Sequence, residues 1–116
     1  MSRYYEMTVR VRGVDPLRTT EVKEAAEAQW PFEEEDWMQL DLTESPPTSF
    51  TAQAEGSLCA GESEKEFADR LARAVWEANE GYCEVEVIAV YLEDRPYEAY
   101  TFDEDDYHQR TQAQQP

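Results

Sequence analysis

Two runs of four acidic side chains, Glu33-Glu34-Glu35-Asp36 and Asp103-Glu104-Asp105-Asp106, are where this sequence gathers most of its potential chemistry. Clustered carboxylates can ligate a divalent cation, trade protons as an acid and base pair, or project a negative field onto a basic partner. The second run puts Asp103 and Asp105 at the first and third places of a calcium loop, but His108 stands where such a loop needs glycine and Gln114 where it needs a bidentate glutamate. No metal site is therefore predicted. Acid and base pairs discriminate nothing in a chain with 27 Asp and Glu residues. His108 is the single histidine and lies near the C-terminal end, so a nucleophilic triad has a poor supply of bases. The four glycines, Gly13, Gly56, Gly61 and Gly81, form no phosphate-binding loop. Cys59 and Cys83 are too few and too far apart for a disulfide framework or a zinc ribbon, and each is expected as a small buried apolar residue. The sequence predicts no enzyme, no catalytic residue and no cofactor.

What remains is the field. The formal net charge is -17 on 116 residues, 27 acidic side chains against 10 basic ones. Duplex DNA carries one negative charge per ~1.7 Å of axis, so this surplus matches the phosphates of roughly eight base pairs. A basic protein is the expected partner, while direct binding to nucleic acid or to an anionic membrane is disfavoured by like-charge repulsion. The charge does not signal disorder, because 41% of the residues are hydrophobic and 12% aromatic. No stretch approaches the ~20 apolar residues that span a bilayer, and the start lacks the plan of a signal peptide, so the expected location is cytoplasmic.

The elements that must hold these runs follow from periodicity. Residues 4–12 alternate, with Tyr5, Met7, Val9 and Val11 on one side and Tyr4, Glu6, Thr8, Arg10 and Arg12 on the other, which predicts a strand. Asp15-Pro16 is expected to cap a helix whose apolar stripe is Leu17, Val22, Ala25, Ala26 and Trp30, ended by Pro31. A second strand is expected over 37–43, with Met38, Leu40 and Leu42 on one face, and a third over 49–55 after the Ser45-Pro46-Pro47 turn. Ser63 and Glu66 form a capping box for a helix with Phe67, Leu71, Ala74, Val75 and Ala78 on one face, stopped at Gly81. Residues 83–92 supply the last strand, on which Ile88, Val90 and Leu92 fall on the side that Glu84 and Glu86 begin as solvent-facing.

The resulting βαββαβ order predicts an α+β, ferredoxin-like sandwich: a four-stranded antiparallel sheet, two helices on one face and an acidic C-terminal extension. One domain spans 1–110, with a flexible polar tail at 111–116. Either the extension's aromatic residues or a second copy, packed sheet to sheet, would cover the end of the open face near Ile88 and Val90. That face carries Tyr4, Arg10 and Arg12, yet the chain has no RNP-like run and only two lysines, Lys23 and Lys65, which argues against an RNA-recognition module.

The stretch Tyr91-Leu-Glu-Asp-Arg-Pro-Tyr-Glu-Ala-Tyr-Thr-Phe-Asp-Glu-Asp-Asp-Tyr107 and the segment Glu24-Ala-Ala-Glu-Ala-Gln-Trp-Pro31 resemble small acidic proteins of proteobacterial plasmids, phages and integrated elements. The resemblance covers about a quarter of the chain. It implies a genomic setting in which small acidic proteins include DNA mimics that block restriction or CRISPR complexes, and it transfers no functional residue.

Charge and resemblance together predict an acidic inhibitor that occupies the groove of a basic nucleic-acid-binding complex. The expected contact residues are Glu33, Glu34, Glu35, Asp36, Asp103, Glu104, Asp105 and Asp106, with Tyr97, Tyr100 and Tyr107 giving rigid amphipathic area between them. The ordinary alternative for the tyrosines is packing on the open sheet face. Two other readings fit the same residues: an immunity protein that neutralises a basic toxin, and a homodimeric or larger self-associating module, structural or ligand-binding, whose charge confers solubility.

Overall fold

A 10-residue strand, β1 (Arg3–Arg12), runs through the middle of the molecule and buries Tyr5, Met7, Val9 and Val11 on one face, as its alternation predicts. The computed structural model describes residues 3–43, 45–58, 61–92 and 97–112; the side chains of 97, 98, 111 and 112 lie outside that description, as do Cys59 and the expected tail residues 113–116. After β1 come α1 (Thr19–Gln29), a 3₁₀ turn (Glu34–Asp36), β2 (Trp37–Gln39), β3 (Phe50–Leu58), α2 (Glu64–Asn79), β4 (Glu84–Tyr91), β5 (Tyr97–Phe102) and α3 (Glu104–Gln112).

The chain is an α+β fold with a five-stranded antiparallel sheet ordered β2-β3-β1-β4-β5. This corrects the expected four-stranded sandwich. Residues read as an acidic extension form β5, which pairs along β4 from Tyr97 opposite Val90 to Phe102 opposite Val85. The helix that follows runs to Gln112, past the expected domain boundary at 110.

Helices α1 and α2 cover one sheet face. Val22 and Ala26 of α1, and Phe67, Leu71, Ala72, Val75 and Trp76 of α2, meet the inward side chains of β1, β3 and β4 in one core. The α2 capping box forms as predicted: Glu66 N donates to Ser63 Oγ at 3.1 Å and Ser63 N to Glu66 Oε1 at 2.8 Å. At the other end it is Glu80, not Gly81, that takes the left-handed conformation (φ 59°), while Gly81 N reaches back to Trp76 O at 3.3 Å. No helix among the described residues is long and apolar enough to cross a membrane.

Two further expectations are overturned. Asp15-Pro16 forms a turn before α1 and not its cap, with Leu17 N and Arg18 N both donating to Asp15, and Leu17 is 86% exposed. Strand β2 is only three residues long, and its register puts Trp37 and Gln39 on the helix side. Met38 therefore points away from the core and is 66% exposed, and Leu42, in the turn beyond the strand, is 85% exposed. The large Trp37 indole takes the inner position, packs beside Phe32 (ring centroids 5.8 Å apart) and donates to Glu27 Oε2 at 2.9 Å.

Candidate functional site

The first acidic run is held in place by aromatic residues on either side of it. Trp30, at the end of α1, is buried and donates from Nε1 to Ala54 O at 2.9 Å, seating its indole on β3 beside Gly56. Phe32 is also buried, and its N–H bonds Trp30 O at 2.7 Å, turning the chain outward. Glu33, Glu34 and Glu35 then stand exposed, and Asp36 folds back so that its Oδ2 accepts from Glu33 N at 2.8 Å. The Glu33 carboxyl is raised above its ordinary range by a hydrogen bond shared with Glu35, and further by the negative charges of Glu35 and Asp36. The run is therefore crowded with like charge.

The second run opens α3. Asp106 N donates to Asp103 Oδ1 at 2.9 Å and Asp103 N to Asp106 Oδ2 at 3.1 Å, a reciprocal capping arrangement. The backbone N–H of Asp106 lowers the Asp103 carboxyl below its usual range. Asp106 also pairs with Arg110 at 3.3 Å, and Glu104 lies 4.0 Å from His108. Capping occupies part of this run's hydrogen-bonding capacity, and Asp105 is left projecting outward.

The structure does not bring the two runs together. One follows α1 at the β2 edge and the other follows β5 at the opposite edge. Four strand spacings of about 4.8 Å put them roughly 19 Å apart across the sheet. Nor do Tyr100 and Tyr107 bridge them on the open face. Tyr100 lies on the helix-facing side of β5, half-buried against the core. Tyr107 packs edge-on to Trp76 (5.2 Å) and Tyr82 (5.8 Å). Tyr97 pairs with Val90 in β5, and its side chain lies outside the described residues.

A feature that single runs do not reveal is how the cations are placed. Each arginine among the described residues is ion-paired: Arg3 with Glu64, Arg10 with Glu86, Arg12 with Glu84, Arg18 with Glu80, Arg70 with Glu62, Arg73 with Asp69, and Arg110 with Asp69 and Asp106. Lys23, on α1, sits over the Phe50 ring at 4.4 Å. Glu21 and Glu24 on α1, and Glu33, Glu34 and Glu35 beyond it, pair with no lysine or arginine among the described residues. Exposed and without such partners, they make α1 and the 3₁₀ turn after it an acidic ridge in chain order, with Glu21 turned toward α2, where it lines a shallow cleft with Arg18 and Glu80. Helical spacing that buries Val22 and Ala26 leaves Glu24 on the outer side of α1, but the lack of cation partners also depends on pairs between residues far apart in sequence, such as Arg10–Glu86 and Arg18–Glu80.

An open groove of about 1000 Å³ lies between α2 and α3, lined by Arg70, Arg73, Trp76, Glu77, Tyr107 and Arg110. Its three guanidinium groups already have carboxylate partners, so an anion would have to displace them. Cys83, ahead of β4, is buried, and burial alone pushes its thiol up to about 12, which makes it a poor nucleophile. Among the described residues no group of three or more His, Cys, Asp and Glu side chains is arranged to hold a metal ion. No known protein family, curated protein or solved structure matches the chain.

Proposed function

We propose that this chain is a non-enzymatic binding protein that docks on a basic, nucleic-acid-binding protein of the cytoplasm, its carboxylates standing where that partner receives phosphates. The observation that carries the reading is that Glu21, Glu24, Glu33, Glu34 and Glu35 are exposed and pair with no described lysine or arginine, while the described arginines are committed to internal pairs. Glu21 and Glu24 are separated by about 4.5 Å of helix rise, against one phosphate per about 3.4 Å of axis on each DNA strand. The resemblance to acidic proteins of proteobacterial mobile elements supports the same setting, with a restriction or CRISPR complex as the type of target. The second acidic run contributes long-range field from the far edge instead of extending the same contact. We read β1 to β4 with α1 and α2 as a ferredoxin-like unit to which β5 and α3 are appended, a scaffold that implies no activity by itself.

The test is affinity capture from a nuclease-treated bacterial lysate, followed by elution with duplex DNA. The expected result is a basic protein that DNA displaces and that the triple variant Glu21→Lys, Glu24→Lys, Glu34→Lys fails to retain. A captured protein that DNA does not displace, or that the triple variant holds equally well, would sink the mimicry reading.

A further inference from the structure

Strand alternation that buries Tyr5, Met7, Val9 and Val11 sends Tyr4, Glu6, Thr8, Arg10 and Arg12 to the opposite sheet face. The helices of the described residues do not reach it. α1 and α2 pack on the inner side, and α3 is drawn to α2 by the Arg110–Asp69 pair and by Tyr107 against Trp76. The register orders this open face into rows across β3, β1, β4 and β5. They read Thr51, Arg10, Glu86 and Thr101; then Gln53, Thr8, Ile88 and Ala99; then Glu55, Glu6 and Val90 beside β5.

This face carries two arginines, Arg10 and Arg12, against four glutamates, Glu6, Glu55, Glu84 and Glu86, a small part of the whole chain's excess of acid. Arg10 and Glu86 pair at 3.2 Å, and Arg12 and Glu84 also at 3.2 Å, all toward one end. Toward the other end Glu6 and Glu55 pair with no cation among the described residues. The centre, around Thr8, Ile88 and Ala99, is uncharged. A second copy, itself strongly negative, meets least repulsion here.

We propose that the open face is a homodimer interface in which two copies pack sheet to sheet about a two-fold axis running across the strands at the Thr8–Ile88 row. Charge complementarity selects that axis. It reverses strand direction, so Arg10 faces the partner's Glu6 twice over, Thr51 faces the partner's Glu55, and Arg12 faces the ring of the partner's Tyr4. Ile88 meets its own copy near the axis. A two-fold axis parallel to the strands would instead stack Arg10 on Arg10 and Glu6 on Glu6. Aligned sheets pack about 10 Å apart with strands crossing at about 30°, which keeps these facing pairs closest near the centre. A strand spacing of about 4.8 Å and a rise of about 3.4 Å give the sheet a footprint of about 600 Å², against about 800 Å² per partner in a standard stable interface. The dimer is therefore expected to be modest in strength and to tighten as salt screens the repulsion between whole copies. The interface is distinct from the α1 ridge and stands whether or not that ridge docks on a basic partner.

Sedimentation equilibrium on the full chain tests this, over a range of concentrations at low and high salt. The expected outcome is a reversible dimer, stronger at high salt. Glu6→Arg, which disturbs no internal ion pair, should weaken it about tenfold or more by placing arginine over arginine, as should Arg10→Glu. Mixing the two variants one to one should restore the dimer, because each copy then meets opposite charge. Thr8→Arg, which brings like charges together at the axis while leaving Arg10–Glu86 intact, is a second disruption. A wild-type monomer under all conditions, a dimer indifferent to Glu6→Arg and Thr8→Arg, or a one-to-one mixture that stays monomeric would overturn the proposal.

Discussion

Gly56 sets how closely α1's end can lie on the sheet, and through it where the acidic ridge stands. A Cβ built there comes within 3.0 Å of Trp30 Cζ2 and 3.0 Å of Pro31 Cγ, whereas carbon atoms rest at about 3.5–4.0 Å. In Gly56→Ala both neighbours must therefore retreat by about 0.5–1 Å. The indole has little freedom to do so, being buried, bonded to Ala54 O at 2.9 Å and packed edge-on to Phe67 at 5.2 Å. Overpacking of this kind costs about 1–3 kcal/mol, offset by about 0.4–1 kcal/mol from the stiffer unfolded chain. The expected net loss is about 1–2 kcal/mol, a fall of roughly 5 °C or more in Tm for a domain of this size. Urea unfolding followed by far-UV circular dichroism and tryptophan fluorescence reads it directly, as a lower midpoint at unchanged slope. In a Trp30→Phe background, where the ring atoms nearest the new methyl are gone, at least half of the cost should disappear. An Ala variant that is as stable as wild type, or one that loses the same stability in both backgrounds, would refute the steric account of how the ridge is positioned.

The acid response should divide by site. The Asp103 carboxyl is lowered by its capping bond, so the stability it contributes is present above the ordinary aspartate range and is lost as pH falls through its lowered folded value. Glu33 has the opposite sign, since its raised carboxyl relieves like-charge crowding in the folded state as pH falls through that raised value. Carboxyl-carbon NMR titration should find Asp103 below and Glu33 above their usual ranges, and Asp103→Asn should flatten the acid limb of the stability profile; ordinary titration of both would contradict the capping geometry. For Cys83, with its thiol pushed to about 12 by burial, a Cys59→Ser protein should be inert to an aromatic disulfide reagent at pH 8 when native and reactive when unfolded in urea. Rapid reaction of the native protein would show that the site opens.

Elements with a strong local period were legible in the sequence: β1, β4 and α2 with its capping box all stand where alternation, helical spacing and the Ser63–Glu66 pair put them. What local period cannot settle is which side of an alternating segment faces inward. Met38 lost the core side because the pairing of Trp37 with Ala52 fixes the register of β2 and gives the inner position to the half-buried indole, while Leu40 and Leu42 fall beyond the three-residue strand. Strand β5 was missed for a related reason. Its pairing with β4 depends on partners across a connection, and the dense charge on either side of it in sequence made Tyr100 and Phe102 look like attachments to an acidic tail. The acidic runs were visible as composition, but their separation was not, because it is set by strand order.

Both proposed surfaces trace to the way the fold distributes its few cations. Arg10 and Arg12 sit on β1, the central strand, where cross-strand Glu86 and Glu84 neutralise them, so that the open face's remaining charge is Glu6 and Glu55 at one end. The remaining described arginines serve α2, α3 and the neighbouring loops, which leaves the α1 side negative. In the proposed dimer an axis across the strands places the β2 edge of one copy over the β2 edge of the other. The two Glu33–Glu35 segments then line the same side of the assembly, doubling the local field without a new residue. Salt acts on the two surfaces in opposite directions: it weakens docking on a basic partner by screening attraction, and it favours the dimer by screening repulsion between copies. A salt concentration at which partner capture is lost while the dimer persists is thus the condition that assigns each surface its own role.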